Sequence, residues 1–215
     1  MTLPDLLART WTNWLALPEG FDGRLLGEDM QGTDRADFRW LDSAPTYYGW
    51  YYALAHALRP THIAEIGVRY GYSLKAMVEG SRAAPNGAHE RLVVKGWDNE
   101  SYVPGCLEVV RRMMARLQVD AMLYSLNTQG MDRLPAKNVD LFHVDGDHGP
   151  VAFLHDMALA RQCMAPGGWI IGDDIQACGL EGGARSCAQQ WGVPYVDLPT
   201  FSNGRNGLCL MGPLP

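Results

Sequence analysis

The stretch AEIGVRYGYS, Ala64–Ser73, decides how the rest of the chain is read. His62–Ile66 is a short apolar run and reads as a buried strand. Gly67 and Gly71 follow, and each lets the backbone turn sharply and come close to a ligand. From Ser73 to Ser81 the pattern is helical. The helix N-terminus beyond such a turn presents free N–H groups. A two-glycine loop also suits an ordinary strand-to-helix turn, so the neighbouring segments have to decide.

They repeat the alternation. Arg91–Trp97 reads as a strand, Cys106–Leu117 as a helix and Ala121–Leu126 as a strand. Then come a strand at Val139–Val144, a helix at Val151–Cys163 and a strand at Trp169–Gly172. Strands alternating with helices predict an α/β, Rossmann-like fold, a parallel sheet with helices on both faces. The end differs. Tyr195–Leu198 and Leu208–Met211 flank PTFSNGRNG, whose Asn203-Gly204 and Asn206-Gly207 are turn signals, so the chain is expected to close on an antiparallel hairpin.

Ahead of the core, Leu3–Leu17 places Leu3, Leu6, Leu7, Trp11, Trp14 and Leu15 at helical spacing. Pro18–Asp42 is polar, glycine-bearing and too long for a usual connection, which makes it a candidate lid. APTYYGWYYALAHALRP reads as a helix that ends before Pro60. The expected organisation is one domain over 1–215: an N-terminal helical and lid segment, 1–60, and an α/β core, 61–215.

The composition narrows the function. A length of 215 residues suits one sizeable core. A net charge of -6 repels phosphate backbones, which argues against nucleic acid as the main partner. Arg111, Arg112 and Arg116 lie along one helix and read as a solvated face. The 5 cysteines form no CxxC pair, so they read as reduced thiols of a cytoplasmic protein. MTLPDLLARTWTNWL lacks the basic start of a signal peptide, and no run approaches the roughly 18 apolar residues of a membrane span.

In open α/β sheets, ligands bind beyond the carboxyl ends of the strands. At the first such tip, Gly67 is followed by Val68 and Arg69, so the G-x-G-x-x-G spacing of a dinucleotide site is missing. Glu65 would repel a pyrophosphate and suits a cation such as an α-ammonium. At the second tip, in KGWDNE, Asp98 is placed to accept from both hydroxyls of a ribose. Asp-Asn is also a common turn.

These motifs, with DGDH at 145–148 and PGGWIIGDD at 166–174, resemble the class I S-adenosylmethionine-dependent methyltransferases. Within that class they resemble the small-molecule O-methyltransferases of antibiotic and macrolide-sugar pathways, relatives in layout of the metal-dependent catechol-type enzymes. The resemblance runs from about Thr61 to the C-terminus. It implies a seven-stranded sheet whose last strand is antiparallel, and a homodimer. It implies that Glu65, Gly67, Gly71 and Ser73 surround the methionine end of the cofactor, with Arg69 of the same loop and Asp145 beside them. It gives Asp98 the ribose, and Asn127 or Thr128 the adenine.

The third tip is HVDGDHGP, His143–Pro150. Asp145 ends one strand, and Asp173 and Asp174 end the next. Three carboxylates brought together repel unless something neutralises them. A hard divalent cation does so, and oxygen-only ligation selects Mg²⁺, Ca²⁺ or Mn²⁺. The resembling enzymes use an Asp and then an Asp-Asn pair; here the pair is Asp-Asp, and Asp174 can also stand behind the ligands. Coordination lowers a hydroxyl's pKa. His148 is the candidate base, in the place where the catechol-type enzymes carry a Lys. Asp147 reads as a cap for the next helix, His143 as structural, and His155 and Asp156 as surface or packing residues.

Gly20–Tyr52 carries Phe21, Phe38, Trp40, Tyr47, Tyr48, Trp50, Tyr51 and Tyr52. They either line an acceptor pocket or, for Trp50 and Tyr51 at least as readily, pack the helices on the sheet. A vicinal diol would chelate the cation, so sugars and catechols lead as small-molecule hydroxyl acceptors. The alternatives are a metal-dependent hydroxylase of related sequence type, whose two-His-one-carboxylate triad is not evident here, and a non-catalytic S-adenosylmethionine-binding subunit.

Overall fold

The computed structural model describes residues 1–17, 45–84, 92–198 and 207–215. The candidate lid 18–42, with Phe21, Phe38 and Trp40, lies outside the described residues, as do the Tyr47 side chain and the turn at Asn203-Gly204.

The strands are β1 (His62–Ile66), β2 (Val93–Asp98), β3 (Asp120–Ser125), β4 (Val139–Val144), β5 (Met164–Gly172), β6 (Tyr195–Leu198) and β7 (Leu208–Met211). They form one sheet in the order β3-β2-β1-β4-β5-β7-β6. β1 to β5 pair in parallel. β7 inserts between β5 and β6 and runs antiparallel to both. The strand order reverses between β1 and β4, and a crevice opens there at the carboxyl ends.

The helices are α1 (Leu3–Leu15), α2 (Pro45–Leu58), α3 (Tyr72–Ala83), α4 (Cys106–Arg116), α5 (Pro150–Cys163) and α6 (Glu181–Trp191). Several bounds shift by one or two residues, and two elements depart further from the sequence reading. α6 was not expected, since Gly182 and Gly183 in its first turn weaken the helical signal. Small residues Ala184, Cys187 and Ala188 hold it by burial instead. β5 starts five residues before Trp169, because the Pro166-Gly167-Gly168 run stays in the strand through a register shift against β4. Among the described residues no helix is long and apolar enough to cross a membrane.

Strand alternation sorts the core into two layers. Ala64, Ile66, Phe142, Val144 and Ile170 face α5 and α6. Ile63, Leu141 and Ile171 face the other way, packed with Trp50, Tyr51 and Leu54 of α2. Glu65 and His143, register partners on β1 and β4, share the parity of that second set and are completely buried beneath α2. Two ionisable groups on a central strand pair therefore lie inside the apolar layer, directly behind the crevice.

Candidate active site

The β1 tip is built by backbone conformation. Gly67 (φ 84°), Arg69 (φ 45°) and Gly71 (φ 72°) are all left-handed. Gly67 donates its N–H to the Trp97 carbonyl at 2.8 Å, and Asp145 donates its own to the Ile66 carbonyl at 2.9 Å. A Cβ on Gly67 would lie 1.8 Å from the Asp145 carbonyl oxygen, so a side chain there is incompatible with the β1–β4 approach. Gly71 is the N-cap of α3 and stands back from the crevice against Val110 and Met113.

A cleft of about 610 Å³ lies across these tips, lined at one end by Asp98 and Asn127 and at the other by Asp145, His148, Asp173 and Asp174. Ser73, Gly67 and Arg69 line its middle. Asp98 accepts N–H groups from Arg69 (2.8 Å) and Glu100 (2.6 Å), one on each oxygen. Its carboxylate is thus fixed from both oxygens at the cleft lining. The Arg69 guanidinium lies over the rings of Tyr102 (5.1 Å) and Tyr70 (5.6 Å). Tyr48, one of the aromatics read as candidate pocket residues, lines the cleft, and so does Tyr102, to which the sequence reading assigned no role. Burial and the charges of Asp145 and Asp173 push the Tyr48 hydroxyl well above its ordinary range, so it is a neutral phenol.

Asn127 caps a short 3₁₀ turn, Thr128–Gly130, by accepting the Gln129 N–H at 2.9 Å. That turn is tied to α5 by Asp156, whose Oδ1 accepts from Thr128 Oγ1 (2.7 Å) and Gln129 Nε2 (3.1 Å). Burial raises the Asp156 carboxyl to about 6, with the Thr128 bond pulling the other way. Asp156 is a brace for the cleft wall, not a surface residue. Replacing it with alanine strands both donors and is expected to cost about 2 kcal/mol in urea unfolding. Asp156→Asn keeps an acceptor and is expected to retain most of that stability.

The acidic end is more structured than its sequence suggested. Asp145, His148 and Asp174 bring one ligand atom each to within 4.8 Å of one another. His148 Nε2 is 3.5 Å from Asp174 Oδ2, and the imidazole is 39% exposed. Burial and then the Asp173 charge raise Asp145 well above the ordinary carboxylate range and Asp174 to about 6. Asp174 Oδ1 is buried with no hydrogen-bond partner. Asp173 is placed differently from its neighbours: Oδ1 accepts the Asp174 N–H at 2.6 Å and Oδ2 accepts from the Tyr51 hydroxyl at 3.1 Å. Asp147 accepts the Gly149 N–H at 2.7 Å and braces the loop, while the α5 N-cap is Gly149, without a side-chain cap.

Glu65 lies behind the site rather than in it. Its Oε1 accepts from Ser73 Oγ and from His143 Nδ1 (2.6 Å), and Oε2 is buried without a partner. His143 Nε2 meets the Tyr51 hydroxyl at 2.9 Å. Burial lowers the His143 pKa, but the Asp173 carboxylate 3.6 Å from Nε2 and the Glu65 hydrogen bond outweigh it and lift the imidazole to about 10. An imidazolium satisfies the whole set: Nδ1–H to Glu65, Nε2–H to Tyr51, and the Tyr51 proton to Asp173. One positive charge thus stands between two buried carboxylates.

Comparison with known proteins bears on the family and the fold. A family model described as a methyltransferase domain matches residues 64–175, from the β1 glycine turn to just past the Asp173-Asp174 pair. The uncharacterized protein y4gI of Sinorhizobium fredii is 34% identical over 110 residues, 48% of this chain and 11% of that protein. The match thus spans only about a tenth of that relative's length. The fold is similar to that of an O-methyltransferase from Bacillus cereus in complex with S-adenosylhomocysteine (TM-score 0.60, 18% identity, 95% of this chain and 96% of that one). It is similar to that of the S-adenosylhomocysteine-bound Podospora anserina methyltransferase PaMTH1 (0.62, 18%, 98% and 96%). TomG of Streptomyces achromogenes, an O-methyltransferase involved in tomaymycin synthesis, aligns with a TM-score of 0.59 at 19% identity over 95% of both chains. The chain belongs to the methyltransferase-domain family and carries the Rossmann-like architecture of the class I S-adenosylmethionine-dependent methyltransferases.

Proposed function

We propose that this protein transfers the methyl group of S-adenosylmethionine to a hydroxyl oxygen of a small molecule, with a divalent cation at the acidic end of the cleft. The observation that carries the reading is the convergence of Asp145, Asp174 and His148 within 4.8 Å at one end of a cleft whose other end is Asp98. About 610 Å³ suits a cofactor-sized ligand, since small-molecule sites run to roughly 300–1,000 Å³. The adenosine would lie between Asp98 and Asn127, and the methionine portion along Gly67, Arg69 and Ser73. A cation fits the residues present: the acids raise each other's pKa, and Asp174 offers a buried oxygen with no partner.

Asp145 and Asp174, with Asp173 beside them, would hold the ion, magnesium being the first candidate among hard cations. Such an ion would lower the pKa of an acceptor hydroxyl and fix its position. His148 takes the hydroxyl proton on Nε2, the Asp174 carboxylate 3.5 Å away stabilises the imidazolium that forms, and the exposed ring passes the proton to water. The oxygen–carbon bond forms as the sulfur–methyl bond breaks, and S-adenosylhomocysteine leaves. The protein's main contribution is to hold the two reactants in line. Oxygen is favoured over nitrogen because a hard cation binds it. A vicinal diol offers two such oxygens, so sugar diols and catechols are the acceptors of choice.

Calorimetry with S-adenosylmethionine and with NADH, each with and without Mg²⁺, tests the cofactor. Binding of the first and not the second is expected; the reverse would sink the reading. With an acceptor found among diols and catechols, His148→Ala is expected to lower turnover about 100-fold or more, as loss of a general base does, and Asp145→Ala at least as much. Near-wild-type turnover in both variants would remove the assigned roles.

A further inference from the structure

Asn127, Thr128 and Gln129 form the cleft wall at the end assigned above to adenosine. Behind them lies Asp156 of α5, only 1% exposed. Its Oδ1 accepts the Thr128 Oγ1 proton at 2.7 Å and one Gln129 Nε2 proton at 3.1 Å. The other Nε2 proton goes to the Ala152 carbonyl at 3.4 Å. A hydroxyl has one proton to give and a primary amide two, so these donors are all committed. What Thr128 Oγ1 and Gln129 Oε1 still offer is lone pairs. Asn127 has the opposite polarity. Its Oδ1 accepts the Gln129 N–H at 2.9 Å, which leaves the Nδ2 protons for a ligand. We propose that Asp156 is a positioning residue that makes this wall select a base with an amino group beside an unprotonated ring nitrogen, as in adenine, over one with a carbonyl beside a protonated nitrogen, as in hypoxanthine, an inference that rests on the S-adenosylmethionine reading above.

Two acceptors and one donor match the adenine edge. The 6-amino group can donate to Gln129 or Thr128, and a ring nitrogen can accept from Asn127. Hypoxanthine inverts both partners: its carbonyl meets lone pairs and its ring N–H meets an N–H. Selectivity then comes from repulsion of the wrong base as much as from attraction of the right one. Without Asp156, the Thr128 hydroxyl can turn its proton to the cleft and the Gln129 amide can rotate about its last torsion, so the wall adapts to either base. The turn itself keeps a tie to α5, because His155 Nε2 still donates to the Thr128 carbonyl at 3.1 Å.

The test is calorimetric titration of S-adenosylhomocysteine and of S-inosylhomocysteine, which differ only in the base. Wild type, Asp156→Ala, Asp156→Asn and Gln129→Met are compared, with thermal melts on each. Work at about pH 8 keeps Asp156, whose value is about 6, an acceptor only. The readout is the ratio of the two dissociation constants, since a loosened fold weakens both ligands alike. Wild type is expected to favour the adenine ligand about 100-fold, from two mispaired hydrogen bonds at roughly tenfold each. Asp156→Ala is expected to bring the ratio to about tenfold or below, and Gln129→Met, which removes one acceptor, to about tenfold. Asp156→Asn keeps an acceptor and is expected to stay within about threefold of the wild-type ratio. A wild-type protein that binds both ligands equally overturns the inference, and so does an unchanged ratio in Asp156→Ala. Should that variant not fold, an unchanged ratio in Gln129→Met overturns it instead. A wild-type protein that binds neither ligand overturns the S-adenosylmethionine reading, and the inference with it.

Discussion

Alanine at Gly67 is expected to unfold the protein or to cost more than about 4 kcal/mol in urea denaturation, at the far end of what single substitutions do. Two effects add. The residue sits at φ 84°, where an L side chain costs roughly 1–2 kcal/mol. The new Cβ would also stand 1.8 Å from the carbonyl oxygen of Asp145, 2.4 Å from its carbon and 2.8 Å from the Gly146 nitrogen. These are backbone atoms of the neighbouring strand's tip and cannot rotate away. Relief requires β1 and β4 to part, which breaks the bond from the Asp145 N–H to the Ile66 carbonyl and displaces Asp145 from the cleft. Gly105 is the control. Its φ is 79°, but a Cβ there meets nothing within 4 Å, so Gly105→Ala is expected to cost only about 1 kcal/mol. Equal losses in the two variants would refute the close approach of the strand tips.

The second large effect is expected at His143. His143→Gln fills similar space but leaves Glu65 and Asp173 without their shared positive charge, and removing one partner of a buried ion pair costs about 3–5 kcal/mol. The loss should depend on pH. The imidazole titrates near 6.5 when unfolded and near 10 in the fold, so the folded state holds its proton more tightly. A raised pKa contributes stability that is fully present below the unfolded value and lost as pH rises through the folded one. In the absence of divalent cation, wild-type stability is therefore expected to fall between about pH 6.5 and 10, and His143→Gln should flatten that fall. Denaturation midpoints across this range measure it; parallel curves would show that the imidazole does not carry the charge.

Much of the frame was legible from pattern. β1, β4, β6 and β7 have the bounds read from the sequence, because each is a short apolar run ended by glycine, aspartate or proline. α6 was not, since two glycines hide a helix that tertiary burial of small residues sustains. At the site, residues carried by loops at strand tips were the easy ones: Gly67, Arg69, Asp98, Asp145, His148 and Asp174 all reach the cleft. Glu65 was harder. The sequence suggests an acid facing a cationic ligand, whereas in the fold the cation facing it is His143, a residue read as structural. The signal was available in outline. Glu65 and Gly67, His143 and Asp145, and Ile171 and Asp173 are spaced two apart on adjacent strands, so one parity turns them all to one face. What no pattern supplied was Tyr51, because its partners lie 92 and 122 residues away.

Dividing the chain at about residue 60 into an appendage and a catalytic core would be a poor guide to handling it. Among the described residues, a fragment starting at Thr61 would keep every strand of the sheet and every carboxylate of the cleft. It would also strip α2 from above Glu65 and His143, which are completely buried in the intact chain. Water would then solvate a charge pair that now sits in an apolar layer, and Asp173 would lose a donor. The boundary between scaffold and reactive centre therefore runs through the interior of the protein, not between two stretches of its sequence.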